Sequence, residues 1–152
     1  MTTWRGMLNG DPLPRLLEDD TPAVRHLALR QLLDRPEDAP EVRQARAAAM
    51  RADPIAAILA AGQPEGFWVK AGPGYTPKYR GTVWQLIFLD QLGADGRDAR
   101  VQAACEYVLA HSQARSGGFA AWEGGSRPDA PPPPSLAIHC LNGNLLRALI
   151  GF

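Results

Sequence analysis

Ala99-Arg100-Val101-Gln102-Ala103-Ala104-Cys105-Glu106-Tyr107-Val108-Leu109-Ala110-His111 is the stretch that decides the fold class. Val101, Ala104, Cys105, Val108 and Leu109 recur at i, i+3, i+4, i+7 and i+8, the spacing of one face of an α-helix. The same period extends in both directions. Thr21 to Asp34 places Val24, Leu27, Ala28 and Leu32 on one stripe. Asp19, Asp20 and Thr21 precede Pro22, the pattern of a capped helix start with proline in the first turn. Glu41 to Arg51 is alanine-rich, with Val42, Ala45 and Ala49 on one side. Asp53-Pro54 restarts a short helix bearing Ile55, Ile58 and Leu59. In Arg80 to Leu92 the run Leu86-Ile87-Phe88-Leu89 is apolar all round, which predicts burial on most sides. A last helix is expected from about Ser135, carrying Leu141, Leu145 and Leu149. No stretch alternates long enough to argue for a strand, so the expectation is an all-α fold.

The chain has 152 residues, one domain's worth, and 45% of them are hydrophobic, enough for a real core. Sixteen Lys plus Arg balance sixteen Asp plus Glu. That balance argues against a nucleic-acid binder with a broad basic face and against a polybasic membrane anchor. No apolar run approaches the roughly 18–20 residues of a membrane span. The N-terminus shows no basic-then-apolar signal pattern. Two cysteines, Cys105 and Cys140, are too few for a disulfide framework, which points to a reducing cytoplasm. Three loops interrupt the helices: Gly62 to Lys78, rich in Gly, Pro and aromatics; the short turn Gly93 to Asp98; and Ser112 to Pro134, which ends in four prolines that cannot be helix interior.

The chain also repeats itself. Ile58-Leu59-Ala60-Ala61-Gly62-Gln63-Pro64-Glu65-Gly66-Phe67-Trp68 parallels Val108-Leu109-Ala110-His111-Ser112-Gln113-Ala114-Arg115-Ser116-Gly117-Gly118-Phe119, with Gln63 and Gln113 fifty residues apart. In each copy a helix ends, a glutamine follows, then a glycine turn, then an aromatic. This spacing predicts stacked helix pairs, each burying a face against its neighbours. A single domain over 1–152 follows, with an N-terminal segment 1–20, repeat units 21–79 and 80–134, and the start of a third at 135–152.

Here the sequence resembles the terpene cyclase and protein prenyltransferase superfamily, whose squalene-cyclase-like members carry a QW motif. Gln63, Gly66 and Trp68 match that motif well; Gln113, Gly118 and Phe119 match it loosely, with Trp122 displaced. The resemblance implies an α/α toroid of helical hairpins around a central cavity. Six to seven helices would supply about half a ring. An open half-ring exposes apolar surface, so a second copy completing the ring is expected. A glutamine amide could satisfy backbone groups at the helix end, the glycine permits reversal, and the aromatic packs over the joint.

Several residues can carry chemistry. Leu17-Glu18-Asp19-Asp20-Thr21 resembles the Asp-x-Asp-Asp-Thr motif of squalene-hopene cyclases, with Leu17 in place of its first aspartate; the simpler reading is an N-cap pair. Tyr75-Thr76-Pro77-Lys78-Tyr79-Arg80-Gly81-Thr82-Val83-Trp84 gathers aromatics and cations in ten residues, suited to an aromatic ring, a carbocation or an anionic group. Ile138-His139-Cys140-Leu141-Asn142-Gly143-Asn144 clusters poor helix formers at the head of the last helix, and Asn142 falls about one turn from His139. His26 reads as a surface or edge residue and Cys105 as core. Glu65, Glu123 and Asp129 are loop carboxylates.

The expected function is binding of a small apolar or cyclic molecule in a cavity lined by Trp68, Tyr75, Tyr79, Trp84, His139 and Asn142, with Lys78 or Arg80 meeting any anionic group. One alternative is a metal-free glycoside or ester hydrolase, or a lyase, using His139 with Glu123. Another is a non-catalytic interaction module. No metal-ligand spacing, phosphate loop, nucleophile elbow or dinucleotide fingerprint is present, so no cofactor is expected.

Overall fold

The computed structural model describes residues 4–122 and 131–152. Over these residues the protein is all-helical, and its only sheet-like features are two isolated bridges, Gln113 with Phe119 and Ala120 with Ala137. After a 3-10 turn at Trp4–Met7 come α1 (Leu13–Leu16), α2 (Pro22–Gln31), α3 (Pro40–Ala49), α4 (Ile55–Ala60), α5 (Thr82–Gln91), α6 (Ala99–His111) and α7 (His139–Gly151). No helix among the described residues is long and apolar enough to cross a membrane.

The helix starts follow local chemistry. Pro22 and Pro40 open α2 and α3, where a missing N–H costs nothing. The Asp98 carboxylate caps α6 by accepting from the Arg100 backbone N–H at 2.9 Å. The expected cap at α2 is absent: Thr21 occupies the N-cap position without a side-chain capping bond, its Oγ1 donating instead to Asp20 Oδ1 at 3.3 Å. Asp19 instead pairs with Arg25, and Asp20 with Arg15 at 3.1 Å. A charged partner within reach outcompetes the weaker bond to a backbone amide. The last helix begins at His139, later than Ser135. Pro133 is extended, Pro134–Leu136 makes one 3-10 turn, and Ile138 is extended before the helix starts.

The core is built around α5. Val83, Leu86 and Leu89 have no exposed surface, and Ile87 is nearly buried. They contact Ile55 and Leu59 of α4, Val101, Ala104 and Val108 of α6, and Leu141 and Leu145 of α7 within one cluster. Each such side chain contributes about 1.5–3 kcal/mol by leaving water. A helix apolar on every side needs neighbours on every side, and α4, α6 and α7 supply them. The α2–α3 hairpin keeps a smaller cluster of its own, Leu29, Val42 and Ala45, and reaches the main core through Ala23, Ala49 and Met50.

The two similar sequence segments form two similar corners. In the first, Gln63 N–H donates to the Phe67 carbonyl at 2.8 Å and Gly66 N–H to the Gln63 carbonyl at 2.9 Å. In the second, Ala114 N–H donates to the Gly118 carbonyl at 2.7 Å and Gly117 N–H to the Ala114 carbonyl at 2.9 Å. Gly66 and Gly117 have φ +91° and +83°. The matching pairs are therefore Gln63 with Ala114, Gly66 with Gly117 and Trp68 with Phe119, fifty-one residues apart. That is one more than glutamine-to-glutamine alignment gives. Both aromatics are buried. Gln63 and Gln113 are exposed, and among the described residues neither side-chain amide makes a hydrogen bond. Backbone groups, rather than a glutamine side chain, close each corner.

The two glycines differ in surroundings. A Cβ on Gly66 would collide with the Ala103 backbone carbonyl, whereas a Cβ on Gly117 meets nothing within 4 Å. Gly117→Ala is expected to cost about 1–2 kcal/mol, the left-handed penalty alone. Gly66→Ala adds a backbone collision and should cost about twice that or more. Urea unfolding of both variants measures the gap; equal losses would show that the close approach of α6 to the first corner does not matter.

Candidate functional site

The Gly62-to-Gly81 loop carries most of the candidate residues, and α6 fixes its course. Tyr107 Oη accepts from Gly72 N–H at 2.8 Å, and the fully buried Ser112 Oγ donates to the Pro73 carbonyl at 2.8 Å. At the loop's end Gly81 leads into α5, and Val83 N–H donates to the Gly74 carbonyl at 3.2 Å. Held this way, the loop sets Tyr75 and Tyr79 in series with Trp84 of α5 and with Trp122. Tyr79 meets Trp84 edge-on at 4.9 Å between centroids, Trp84 meets Tyr75 at 5.1 Å, and Tyr75 meets Trp122 at 5.6 Å. Trp84 Nε1 donates to the Tyr75 carbonyl at 2.9 Å, locking the middle of the series. The two end rings, Tyr79 and Trp122, are about half exposed, at 57% and 51%.

A groove of about 310 Å³ opens beside this series, lined by Lys70, Pro73, Gly74, Tyr75, Thr76 and Trp122 among others. The loop's backbone is unusual on either side of it. Val69 has φ +66° and Tyr79 φ +64°, left-handed conformations rare for β-branched and aromatic residues. Gln85 Nε2 donates to the Tyr79 carbonyl at 2.9 Å and steadies that conformation. The Lys78 ammonium lies 4.9 Å from the Tyr79 ring centroid, within cation–π range. The bond to the Tyr79 side chain, reinforced by Tyr75 and Cys140, holds the Lys78 ammonium above its ordinary range. Arg80 is exposed.

The remaining candidates fall elsewhere. Trp68 is buried in the core, and its Nε1 donates to the Ile58 carbonyl at 2.8 Å. Trp68 also walls a separate groove of about 340 Å³ with Leu59, Pro64, Ala103 and Arg100. Asn142 is committed to the second corner. Its Oδ1 accepts from Phe119 N–H at 2.7 Å, and its Nδ2 donates to the Phe119 carbonyl at 3.0 Å and the Ile138 carbonyl at 2.7 Å. His139 is exposed at the head of α7, and neither it nor Tyr79 lines these two grooves. Glu123, with Asp129, lies outside the described residues. Among the described residues no three His, Cys, Asp or Glu side chains gather as a metal site.

The acidic motif at Glu18-Asp19-Asp20 is a set of exposed ion pairs. Arg15 beside Asp20 holds its carboxyl below the usual carboxylate range, the reverse of what an alkene-protonating acid requires. His26 is not an edge residue: it is 4% exposed, between the α2–α3 hairpin and the rest of the protein. Two groove residues, Lys70 and Trp122, went unselected in the sequence. Trp122 carried the only signal, as an extra tryptophan just past the second corner.

Two measurements bear on these placements. Asn142→Ala removes three hydrogen bonds and leaves the Phe119 amide unpaired, so it should destabilise the fold by about 2–4 kcal/mol in chemical unfolding. A loss under 0.5 kcal/mol would contradict the structural role. For the thiols, burial pushes Cys105 up to about 11, while Cys140 is exposed. Iodoacetamide at pH 8 is expected to modify Cys140 in the folded protein and to spare Cys105 until denaturant is added, as read by peptide mass.

No protein-family model, curated protein or solved structure matches the chain.

Proposed function

We propose that the protein binds a small, partly apolar cyclic molecule in the groove between the Gly62-to-Gly81 loop and Trp122, with Lys70 meeting an anionic group on it. The observation that carries this reading is the series Tyr79–Trp84–Tyr75–Trp122, which places an exposed indole and a half-buried phenol along a concave surface. Ring faces presented to a groove, with a polar rim, suit a ligand that is flat or ring-shaped and only partly polar. The left-handed Val69 and Tyr79 add support, because strained backbone is retained where the surrounding structure holds it for a purpose.

The same reading treats the two equivalent corners as successive hairpin units of an open α/α toroid. It takes Leu146 and Ile150, exposed on the outer face of α7, as surface for a second copy. Two free cysteines agree with a reducing compartment. The hydrolase or lyase alternative would use His139, exposed at the head of α7, with Glu123 outside the described residues, whereas Asn142 is bonded within the fold.

The test is calorimetric titration of the full chain with 2-naphthoate and with 2-naphthalenemethanol. Wild type should bind the carboxylate more tightly than the alcohol, and Trp122→Ala should weaken both by about tenfold, the worth of one ring stack. Lys70→Gln should weaken the carboxylate alone. Binding unchanged in Trp122→Ala, or no binding of either probe, would overturn the proposal.

A further inference from the structure

The α2–α3 hairpin and the body formed by α4 to α7 meet across a seam unlike either core. Each side has its own apolar cluster; Ala23, Ala49 and Met50 of the hairpin side join the body's cluster, and Leu27 lies against Gly93. In the seam lies His26. Its Nε2 accepts from Arg46 Nε at 3.3 Å, so a neutral ring carries its proton on Nδ1. Nδ1 is buried with no hydrogen-bond partner. It lies under Gly93, which ends α5 in the left-handed region at φ +73°; a Cβ there would fall 2.8 Å from Nδ1. A polar groove of about 260 Å³ runs along the same seam, between His26, Arg30 and Arg46 on one side and Asp90, Gly93 and Arg147 on the other.

The charges facing His26 are mutually paired. From α2 comes Arg30, from α3 Arg46, and from the connection between them Glu37, which lies 3.0 Å from Arg30 and pairs with Arg46. From the body, Asp95 lies 3.9 Å from Arg46 and 3.0 Å from Arg97, and Asp90 of α5 pairs with Arg147 of α7. Every carboxylate is engaged by an arginine, and none bonds the imidazole.

We propose that His26 is an acid-responsive latch whose protonation releases the α2–α3 hairpin while the α4-to-α7 body stays folded. A protonated ring has no lone pair for Arg46, so two N–H groups and two positive charges face each other away from water. Separation of the seam returns the imidazolium to solvent. The body retains the larger core around α5, whereas two ten-residue helices whose own cluster has three buried residues, Leu29, Val42 and Ala45, are marginal alone. The sign follows from burial. Desolvation first, then Arg46, lower the His26 value below its ordinary one, outweighing Glu37 and Asp95. Docking is therefore fully stabilised above the unfolded histidine value, about pH 6.5, and is lost as pH falls through the lower folded value. Arg97 holds the Asp95 carboxyl below the usual range, so that carboxylate remains ionised as the histidine titrates.

Amide hydrogen exchange on the full chain, corrected for intrinsic pH effects, tests the latch between pH 7.5 and 5. Protection of Pro22–Gln31 and Pro40–Ala49 should fall about tenfold or more relative to Thr82–Gln91 and Ala99–His111. In His26→Gln, which keeps an acceptor for Arg46 and cannot titrate, that ratio should not change with pH. Loss of protection in both parts together, no loss, or the same loss in His26→Gln would overturn the proposal. Should the variant not fold, NMR titration of the His26 ring in wild type decides: proton uptake must coincide with hairpin exposure, and a mismatch overturns the latch.

Discussion

Two backbone amides hold the architecture to its shape. Trp68 N–H donates to Thr82 Oγ1 at 3.1 Å, and Phe119 N–H donates to Asn142 Oδ1 at 2.7 Å. In each case a helix has ended, the chain has reversed at a left-handed glycine, and an aromatic has entered the core. The entering residue's amide would be buried without a partner, a cost of about 1–3 kcal/mol. A side chain in the first turn of the next helix removes that cost and also sets where that helix begins. Thr82 places α5 and Asn142 places α7. Corner geometry and helix register are thus a single constraint, met twice by different residue types.

This explains why polar, poorly helix-forming residues crowd the head of α7. Asn142 departs from helix propensity because three bonds require an amide there. The same reasoning applies to the buried Ser112, which ties the loop carrying the aromatic series to the end of α6. The groove beside Tyr75 and Trp122 therefore rests on a loop fixed by α6 beneath it rather than on side chains of one element. A groove of that kind inherits its rigidity from the core around α5.

The helices were legible because periodicity reports burial of a face directly. Ala99 to His111 was read to the residue, and α5 showed its all-round burial in Leu86 to Leu89. The all-α expectation holds over the described residues. The corners were legible as similarity but not in register. Glutamine-to-glutamine alignment gave fifty residues, whereas hydrogen bonding pairs Gly66 with Gly117 at fifty-one. Backbone bonds leave no letter in a sequence. His26 sits on α2 between Arg25 and Arg30 on one side and Ala23 and Leu29 on the other, and its burial comes from Arg46 of α3 and from Gly93, distant in sequence. Asn142 stands out in the sequence as a poor helix former in a helix, but whether such a residue serves ligand or fold depends on what faces it. Lys70 gave no signal at all, since a solitary lysine in a loop is ordinarily solvated.

The pairing of α5 with α7 has a kinetic meaning. Helices α4, α5 and α6 can assemble as a local unit, whereas α7 reaches α5 only after the chain from Gln91 to His139 has closed on itself. Closing a loop of that length costs on the order of 3–4 kcal/mol in chain entropy before any apolar contact is returned. Closure of this kind is a slow step, because its entropy is lost before the apolar contact forms. Until it is taken, Leu86 and Leu89 await their last neighbour, and the nascent chain presents a sticky face to its surroundings.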